Sequence, residues 1–234
     1  GNHFIHSIRR NIDINIVLLN NRIYGLTKGQ YSPTSPRGFV SKSSPFGTVE
    51  DPFSPAELAF GARGHFFART VDVDSEVSVE VLTAAARHKG ASVVEVLQNC
   101  VIFNDGTHSA VATKENRTEN AILLEQGKPM IFGRNKEKGL VSEGFNLKVV
   151  TIGENGITEK DLLVHDATTE DNTLHQKLAN MSYPEFPIAL GVIRDVKAPT
   201  YDEAVAKQIA EVQAKNPTRK LKDFLMKGDI WEIK

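Results

Sequence analysis

Hydrophobic and polar positions fall into runs that predict a layered α/β order. Phe4, Ile5 and Ile8 recur at helical spacing over residues 2–11, and Arg9 and Arg10 sit where a helix ends in negative potential. Ile12 to Leu19 follows, short, β-branched and nearly continuous in apolar character. Such a run predicts a central parallel strand, covered on both faces. Ser54-Pro55-Ala56-Glu57 starts a helix with a capping hydroxyl, a proline at the first helical position and a glutamate placed for a capping box. That helix is expected to stop at Gly64. Phe66 to Val71 then reads as a strand, Ser75 to Lys89 as an amphipathic helix ended by Gly90, and Ser92 to Leu97 as another apolar strand. Helices and strands joined by short links predict an α/β fold, a mostly parallel sheet with helices on both faces.

Two stretches break this rhythm. Residues 31–53 hold Pro33, Pro36, Pro45 and Pro52 among Ser, Gly and Thr. A loop that long, directly after a strand, is expected to face a substrate or cover a cofactor. Beyond Phe103 the pattern loosens: Asn104-Asp105-Gly106 is a turn, Asn116 to Asn120 is polar, and Ile122 to Leu124, Pro129 to Phe132 and Leu147 to Val150 read as strands of a small antiparallel or irregular unit. Tyr201 to Ala214 has helical periodicity, and Lys220 to Lys234 reads as a short helix and a tail carrying Trp231. We therefore expect a first unit over 1–103 and an irregular C-terminal extension over 104–234.

Composition narrows the partners. A formal net charge of −1 gives no reason to expect nucleic acid or an anionic membrane, and the basic spots at Lys128–Lys138 and Lys215–Lys222 read as solvated surface. No stretch reaches the ~18–20 apolar residues of a membrane span. A single cysteine excludes an intrachain disulfide and fits a reducing, cytoplasmic setting. No nucleophile elbow, Gly-x-Gly-x-x-Gly or Walker sequence is present, which argues against hydrolase, dinucleotide and P-loop chemistry. The seven histidines are scattered apart from His3 and His6, which lack a third ligand at suitable spacing.

The densest chemistry lies in Asn20-Asn21-Arg22-Ile23-Tyr24-Gly25-Leu26-Thr27-Lys28-Gly29-Gln30, directly after the apolar run. In open α/β sheets ligands bind at the C-terminal ends of the strands. Read bare, Asn-Asn after a strand is most often a turn. The order, however, resembles the second half of the thiamine-diphosphate motif. The run Ile23 to Gln30, continued by Ser32-Pro33-Thr34, resembles the β subunit of 2-oxoacid:ferredoxin oxidoreductases, the 2-oxoglutarate type especially. Phe186 to Val192 and Pro199-Thr200-Tyr201-Asp202 match it too.

That resemblance implies a thiamine-diphosphate-binding fold. Asn21 would give a side-chain oxygen and Ile23 a main-chain carbonyl to Mg²⁺, with Asn20, Gly25, Leu26 and Thr27 beside the cofactor. Lys28 would pair with a carboxylate of the 2-oxoacid, although a plain surface lysine is an equal reading. Cys100, in Leu97-Gln98-Asn99-Cys100, matches the fourth ligand of a [4Fe–4S] cluster; read bare, it is a packed free thiol. The implied activity is oxidative decarboxylation of a 2-oxoacid, with 2-oxoglutarate the favoured one, to an acyl-CoA and CO₂, with electrons passing to ferredoxin. The implied partners are an α subunit, ferredoxin, coenzyme A and the 2-oxoacid. The family's Gly-Asp-Gly and its other three cysteines do not occur before Asn20, so the chain reads as N-terminally truncated inside the cofactor domain and inactive alone. The alternatives are a thiamine enzyme without an iron–sulfur step and a non-catalytic binding or assembly subunit.

Overall fold

The computed structural model describes residues 1–215, 220–228, 231 and 233. Helix α1 (Asn2–Arg9) leads into strand β1 (Ile14–Asn20), and two short strands, β2 (Ile23–Tyr24) and β3 (Gln30–Tyr31), form a hairpin after it. Then come α2 (Pro55–Gly61), β4 (Phe66–Val71), α3 (Ser75–Arg87) and β5 (Ala91–Leu97). The remainder holds α4 (Ser109–Ala112), α5 (Lys114–Asn120), β6 (Ala121–Leu124), β7 (Ile131–Phe132), β8 (Lys138–Glu143), β9 (Asn146–Thr151), α6 (Thr173–Asn180), β10 (Ile188–Asp195), α7 (Tyr201–Lys215) and α8 (Leu221–Leu225).

The main sheet has the order β1–β5–β4–β10–β6. β1, β5 and β4 are mutually parallel; β10 joins β4 antiparallel and β6 runs parallel to β10. Strand alternation sends Phe67, Ala91 and Val93 to one face, against Ile8, Ala59, Phe60 and Leu178 of α1, α2 and α6. Phe66, Ala68, Val94 and Val96 point to the other face, against Val77, Val81 and Ala85 of α3. The expected α/β fold, with helices on both faces of a mostly parallel sheet, is what forms.

Local chemistry explains the boundaries. The Ser54 hydroxyl accepts from the Glu57 N–H at 3.2 Å, as its position predicts, but the Glu57 carboxylate accepts from Asn180 Nδ2 at 3.0 Å on α6 instead of reaching back. Asp74 caps α3 through the Val77 N–H. Gly90 has φ +117°, and a Cβ there would lie 2.2 Å from Asn11 Oδ1, the atom that accepts from the Ala91 N–H.

Three expectations change. Among the described residues β1 pairs only with β5, and Val17 and Leu19 are 47% and 59% exposed, so the strand stands at the edge of this sheet and not at its centre. A run of apolar residues reports that a face is suited to burial, not which partner buries it. Polar Asn116–Asn120 belongs to a helix, because the Thr113 hydroxyl caps it through the Asn116 N–H at 3.1 Å. The segment after Phe103 contributes more than a small unit: β7, β8 and β9 form the antiparallel sheet expected there, while β6 and β10 enter the main sheet. Helix α7 runs as expected. The tail after it, including parts of the Lys215–Lys222 basic spot, lies partly outside the described residues.

Candidate functional site

The parallel strands β1, β5 and β4 end together, and the same alternation that buries Val93 and Phe67 continues to that edge with Glu95 and Arg69. Those two are cross-strand partners in the register, and Leu18 of β1 is the partner of Glu95 on the other side. Arg69 Nε donates to Glu95 Oε2 at 2.8 Å, and its Nη2 donates to the Ala179 carbonyl at 2.9 Å on α6. Asn20 Nδ2 donates to Glu95 Oε1 at 2.8 Å. Burial pushes the Glu95 carboxyl up, but the Arg69 guanidinium and the hydrogen bonds from Asn20 and Arg69 outweigh it and hold the group below its ordinary value. The edge is therefore organised around a buried, ionised glutamate.

Asn20 is fully engaged: besides its bond to Glu95, its Oδ1 accepts from the Thr34 hydroxyl at 2.7 Å. Its carbonyl accepts from His108 Nε2 at 2.8 Å and from the Gln98 N–H at 3.2 Å. A carbonyl cannot donate, so His108 carries its proton on Nε2, and burial drives its pKa down. Thr34 belongs to the long loop, which through Thr34, Pro36, Pro52 and Phe53 lines a cavity of about 680 Å³ together with Asn20, Arg69, Glu95 and His108. The loop thus forms part of the wall of the strand-end cavity.

Asn21 points elsewhere. Its Nδ2 donates to Gln98 Oε1 at 3.1 Å, which fixes the amide so that Oδ1 faces the Ile23 N–H at 3.2 Å. The oxygen and the next turn's backbone are held side by side. Gly25 to Gly29 form a tight turn: the Lys28 N–H donates to the Gly25 carbonyl at 3.0 Å, and the Thr27 hydroxyl donates to the Tyr24 carbonyl at 3.3 Å. Leu26 is 98% exposed at its tip, and Lys28, at φ +60°, does not line the cavity. A Cβ at Gly25 would meet Phe103 at 3.9 Å, an ordinary contact, so the chain itself leaves room for a side chain there.

Cys100 lies in the turn after β5, partly buried. Its carbonyl accepts from the Asn104 N–H at 2.9 Å, and Asn104 Nδ2 donates to the Asn21 carbonyl at 2.9 Å. The cysteine turn is thereby tied to the Asn21 turn. Of the sequence-predicted residues, Asn20 faces the cavity, Asn21 and Ile23 form the adjacent turn, Gly25 to Lys28 stand outside it, and Cys100 is linked through Asn104. Sequence reasoning missed Arg69, Glu95 and His108. A charge in each of two otherwise uncharged, mostly apolar strands was the available signal for the first two.

Magnesium takes hard oxygen ligands. Asn21 Oδ1 and the Ile23 carbonyl are of that kind, and the Ile23 N–H holds Oδ1 in place, so the two fit as part of such a site by their chemistry. No group of three or more His, Cys, Asp or Glu suited to a metal occurs among the described residues. One thiolate is a quarter of what a [4Fe–4S] cluster needs, so this chain's residues alone do not fit that group.

Comparison with known proteins bears on the same residues. Residues 1–96 match the family described as thiamine pyrophosphate enzyme, C-terminal TPP binding domain. The chain is 44% identical over 236 aligned residues to the 2-oxoglutarate oxidoreductase subunit KorB of Mycobacterium tuberculosis, covering 100% of this chain and 62% of that protein. It is 38% identical to the 2-oxoglutarate synthase subunit KorB of Archaeoglobus fulgidus over 64% of this chain and 56% of that one. The solved 2-oxoglutarate:ferredoxin oxidoreductase from Magnetococcus marinus, with 2-oxoglutarate, coenzyme A and succinyl-CoA bound, shares the fold at a TM-score of 0.65 and 22% identity, over 97% of this chain and 61% of that chain. The chain spans less than two thirds of the length of each of these three.

Strand order, edge and matched family together define a thiamine-diphosphate-binding α/β domain. Within that class, the chain is similar to 2-oxoacid oxidoreductase subunits of the KorB type.

Proposed function

We propose that this chain forms part of the β subunit of a 2-oxoglutarate:ferredoxin oxidoreductase and carries the half of the cofactor site that follows the first strand. The observation that carries the reading is the fixed pair of Asn21 Oδ1 and the Ile23 backbone at the end of β1, in a chain 44% identical to a 2-oxoglutarate oxidoreductase subunit along its full length. Bound there with Mg²⁺, thiamine diphosphate would supply the carbanion chemistry for decarboxylating a 2-oxoacid.

The chain's own residues hold and orient. Asn21 and Ile23 offer two oxygens to the metal, and Gln98 and Asn104 keep that turn in place. Gly25, Leu26 and Thr27 present a turn whose exposed leucine suits an apolar ring. Asn20 spends its side chain inside the protein, so its part is to anchor the strand end through Glu95 and Thr34. Lys28 has no side-chain hydrogen bond or ion pair among the described residues and lies on the outer turn, where a cation can meet a substrate carboxylate. Cys100 offers one thiolate beside this turn; a cluster would need three more from outside the chain. An α subunit, coenzyme A and ferredoxin complete the reading as partners, acyl acceptor and electron acceptor.

The test is to produce the chain with its complete gene and a cognate α subunit and to follow ferredoxin reduction with 2-oxoglutarate, pyruvate and no 2-oxoacid, each with and without coenzyme A. Reduction that needs both 2-oxoglutarate and coenzyme A is the expected result. An assembled complex that binds no thiamine diphosphate overturns the cofactor reading, and preference for pyruvate overturns the substrate.

A further inference from the structure

Arg22, like Tyr24, is a residue of the Asn20–Thr27 stretch that the cofactor reading leaves without a task. It sits between Asn21 and Ile23 at φ +55°, a backbone region uncommon for a long side chain, with its carbonyl held by the Ser35 hydroxyl at 2.6 Å. Its side chain is partly buried and lines the 680 Å³ cavity. Among the described residues its guanidinium makes no hydrogen bond and no ion pair.

The nearest counter-charge is already used. Both oxygens of Glu95 are taken, one by Asn20 and one by Arg69. Arg69 itself has Nε and Nη2 engaged, leaving Nη1. The cavity thus holds two guanidinium groups against one carboxylate. A cation withdrawn from water without a partner is costly, and a planar fork of N–H donors is matched by an oxyanion.

The geometry points to an oxyanion-binding site in this cavity, in which Arg22 holds a carboxylate or phosphate group of a small ligand and Arg69 stands behind it. The hydroxyls of Thr107, Ser109 and Ser182 line the same space and add neutral donors. The volume exceeds that of a single small ion, so the ligand has room for a body as well as a charged end. The Thr34–Pro36 and Pro52–Ser54 ends of the long loop form one wall, so a ligand there would also order that loop against the strand ends. The inference goes beyond the cofactor reading and uses neither Asn21 nor Ile23.

The test is calorimetric titration of the 234-residue chain with succinate and, separately, with inorganic phosphate at low ionic strength. Arg22→Gln is the variant, and Arg37→Gln, which removes an exposed cation paired with Asp51, is the charge-matched control. Saturable binding of either anion, weakened about ten-fold or more by Arg22→Gln and not by Arg37→Gln, is expected. Succinate alone binding assigns a carboxylate ligand; phosphate alone binding assigns a phosphate ligand. Absence of saturation by both, or equal loss in both variants, overturns the site. Should Arg22→Gln unfold, phenylglyoxal modification of Arg22 in the wild-type chain, read by mass spectrometry, decides: the anion slows it if the site exists and leaves it unchanged if it does not. Thiamine diphosphate with Mg²⁺ is titrated in the same series, so loss of the cofactor reading and loss of the anion site register separately.

Discussion

Arg69 and Glu95 face each other across β4 and β5 as register partners, 2.8 Å apart, with side chains 8% and 4% exposed. A buried pair of this kind contributes little against an apolar pair of the same volume, but removing one partner strands the other. Arg69→Met is expected to cost about 3–5 kcal/mol in urea unfolding, and the double change Arg69→Met with Glu95→Leu markedly less. Equal losses in the single and double variants would show that the two do not act as a pair. The Glu95 carboxyl is held below its ordinary value, so its contribution is present at neutral pH and is lost as pH falls through the folded-state pKa.

A second pH dependence comes from His175 and has a different window. Its Nε2 donates to the Asp166 carbonyl at 2.8 Å, and its Nδ1 accepts from Arg194 Nη1 at 3.0 Å, so the ring must be neutral. Burial, then Arg194, push its pKa down from 6.5, against the pull of the Asp166 carbonyl. The unfolded chain therefore binds the proton first as pH falls. Stability from this group is complete above pH 6.5 and declines below it toward the lowered folded value. His175→Gln is expected to cost roughly 1–3 kcal/mol at pH 7.5 and to flatten the change in urea midpoint between pH 7.5 and 5.5. An unchanged slope would remove His175 as its source.

The fold was largely legible because its signals are local. The Ser54 cap, the apolar runs at Phe66–Val71 and Ala91–Leu97, and Gly90 at its close approach to Asn11 each fix an element without distant help. What the sequence hid depends on pairing at long range. Ile188–Asp195 carries Gly191, Arg194 and Asp195, an unpromising strand, and becomes one by pairing β4 and β6 together. The candidate site divides in the same way. The Asn20–Gln30 run stands out in the chain, whereas Glu95 and Arg69 acquire meaning only when register sets them side by side beneath Asn20.

Cys100 separates a packing role from a ligand role. Its turn is held by backbone and by Asn104, and its thiol makes no hydrogen bond among the described residues. Cys100→Ser is expected to shift stability by no more than about 1 kcal/mol. On the reading proposed above, the same change in the assembled enzyme removes the cluster: iron content and the visible charge-transfer absorption fall away while subunit association persists. Full iron content in the variant would return Cys100 to the role of a free thiol.

Asn21 and Asn104 allow the cofactor turn to be tested in two steps. On the reading proposed above, Asn21 Oδ1 is the oxygen offered to the metal, and Asn104 Nδ2 holds the Asn21 carbonyl from the cysteine turn at 2.9 Å. In the assembled enzyme, Asn21→Ala is expected to weaken binding of thiamine diphosphate with Mg²⁺ by about 100-fold or more, because an oxygen ligand is deleted. Asn104→Ala removes only support for that ligand and is expected to weaken it by about 10-fold, within the range of such supporting contacts. Asn21→Asp keeps an oxygen in place and should retain binding better than Asn21→Ala. Calorimetry across a range of Mg²⁺ concentrations checks the order, and Asn21→Ala binding as tightly as the wild type would remove Asn21 from the site.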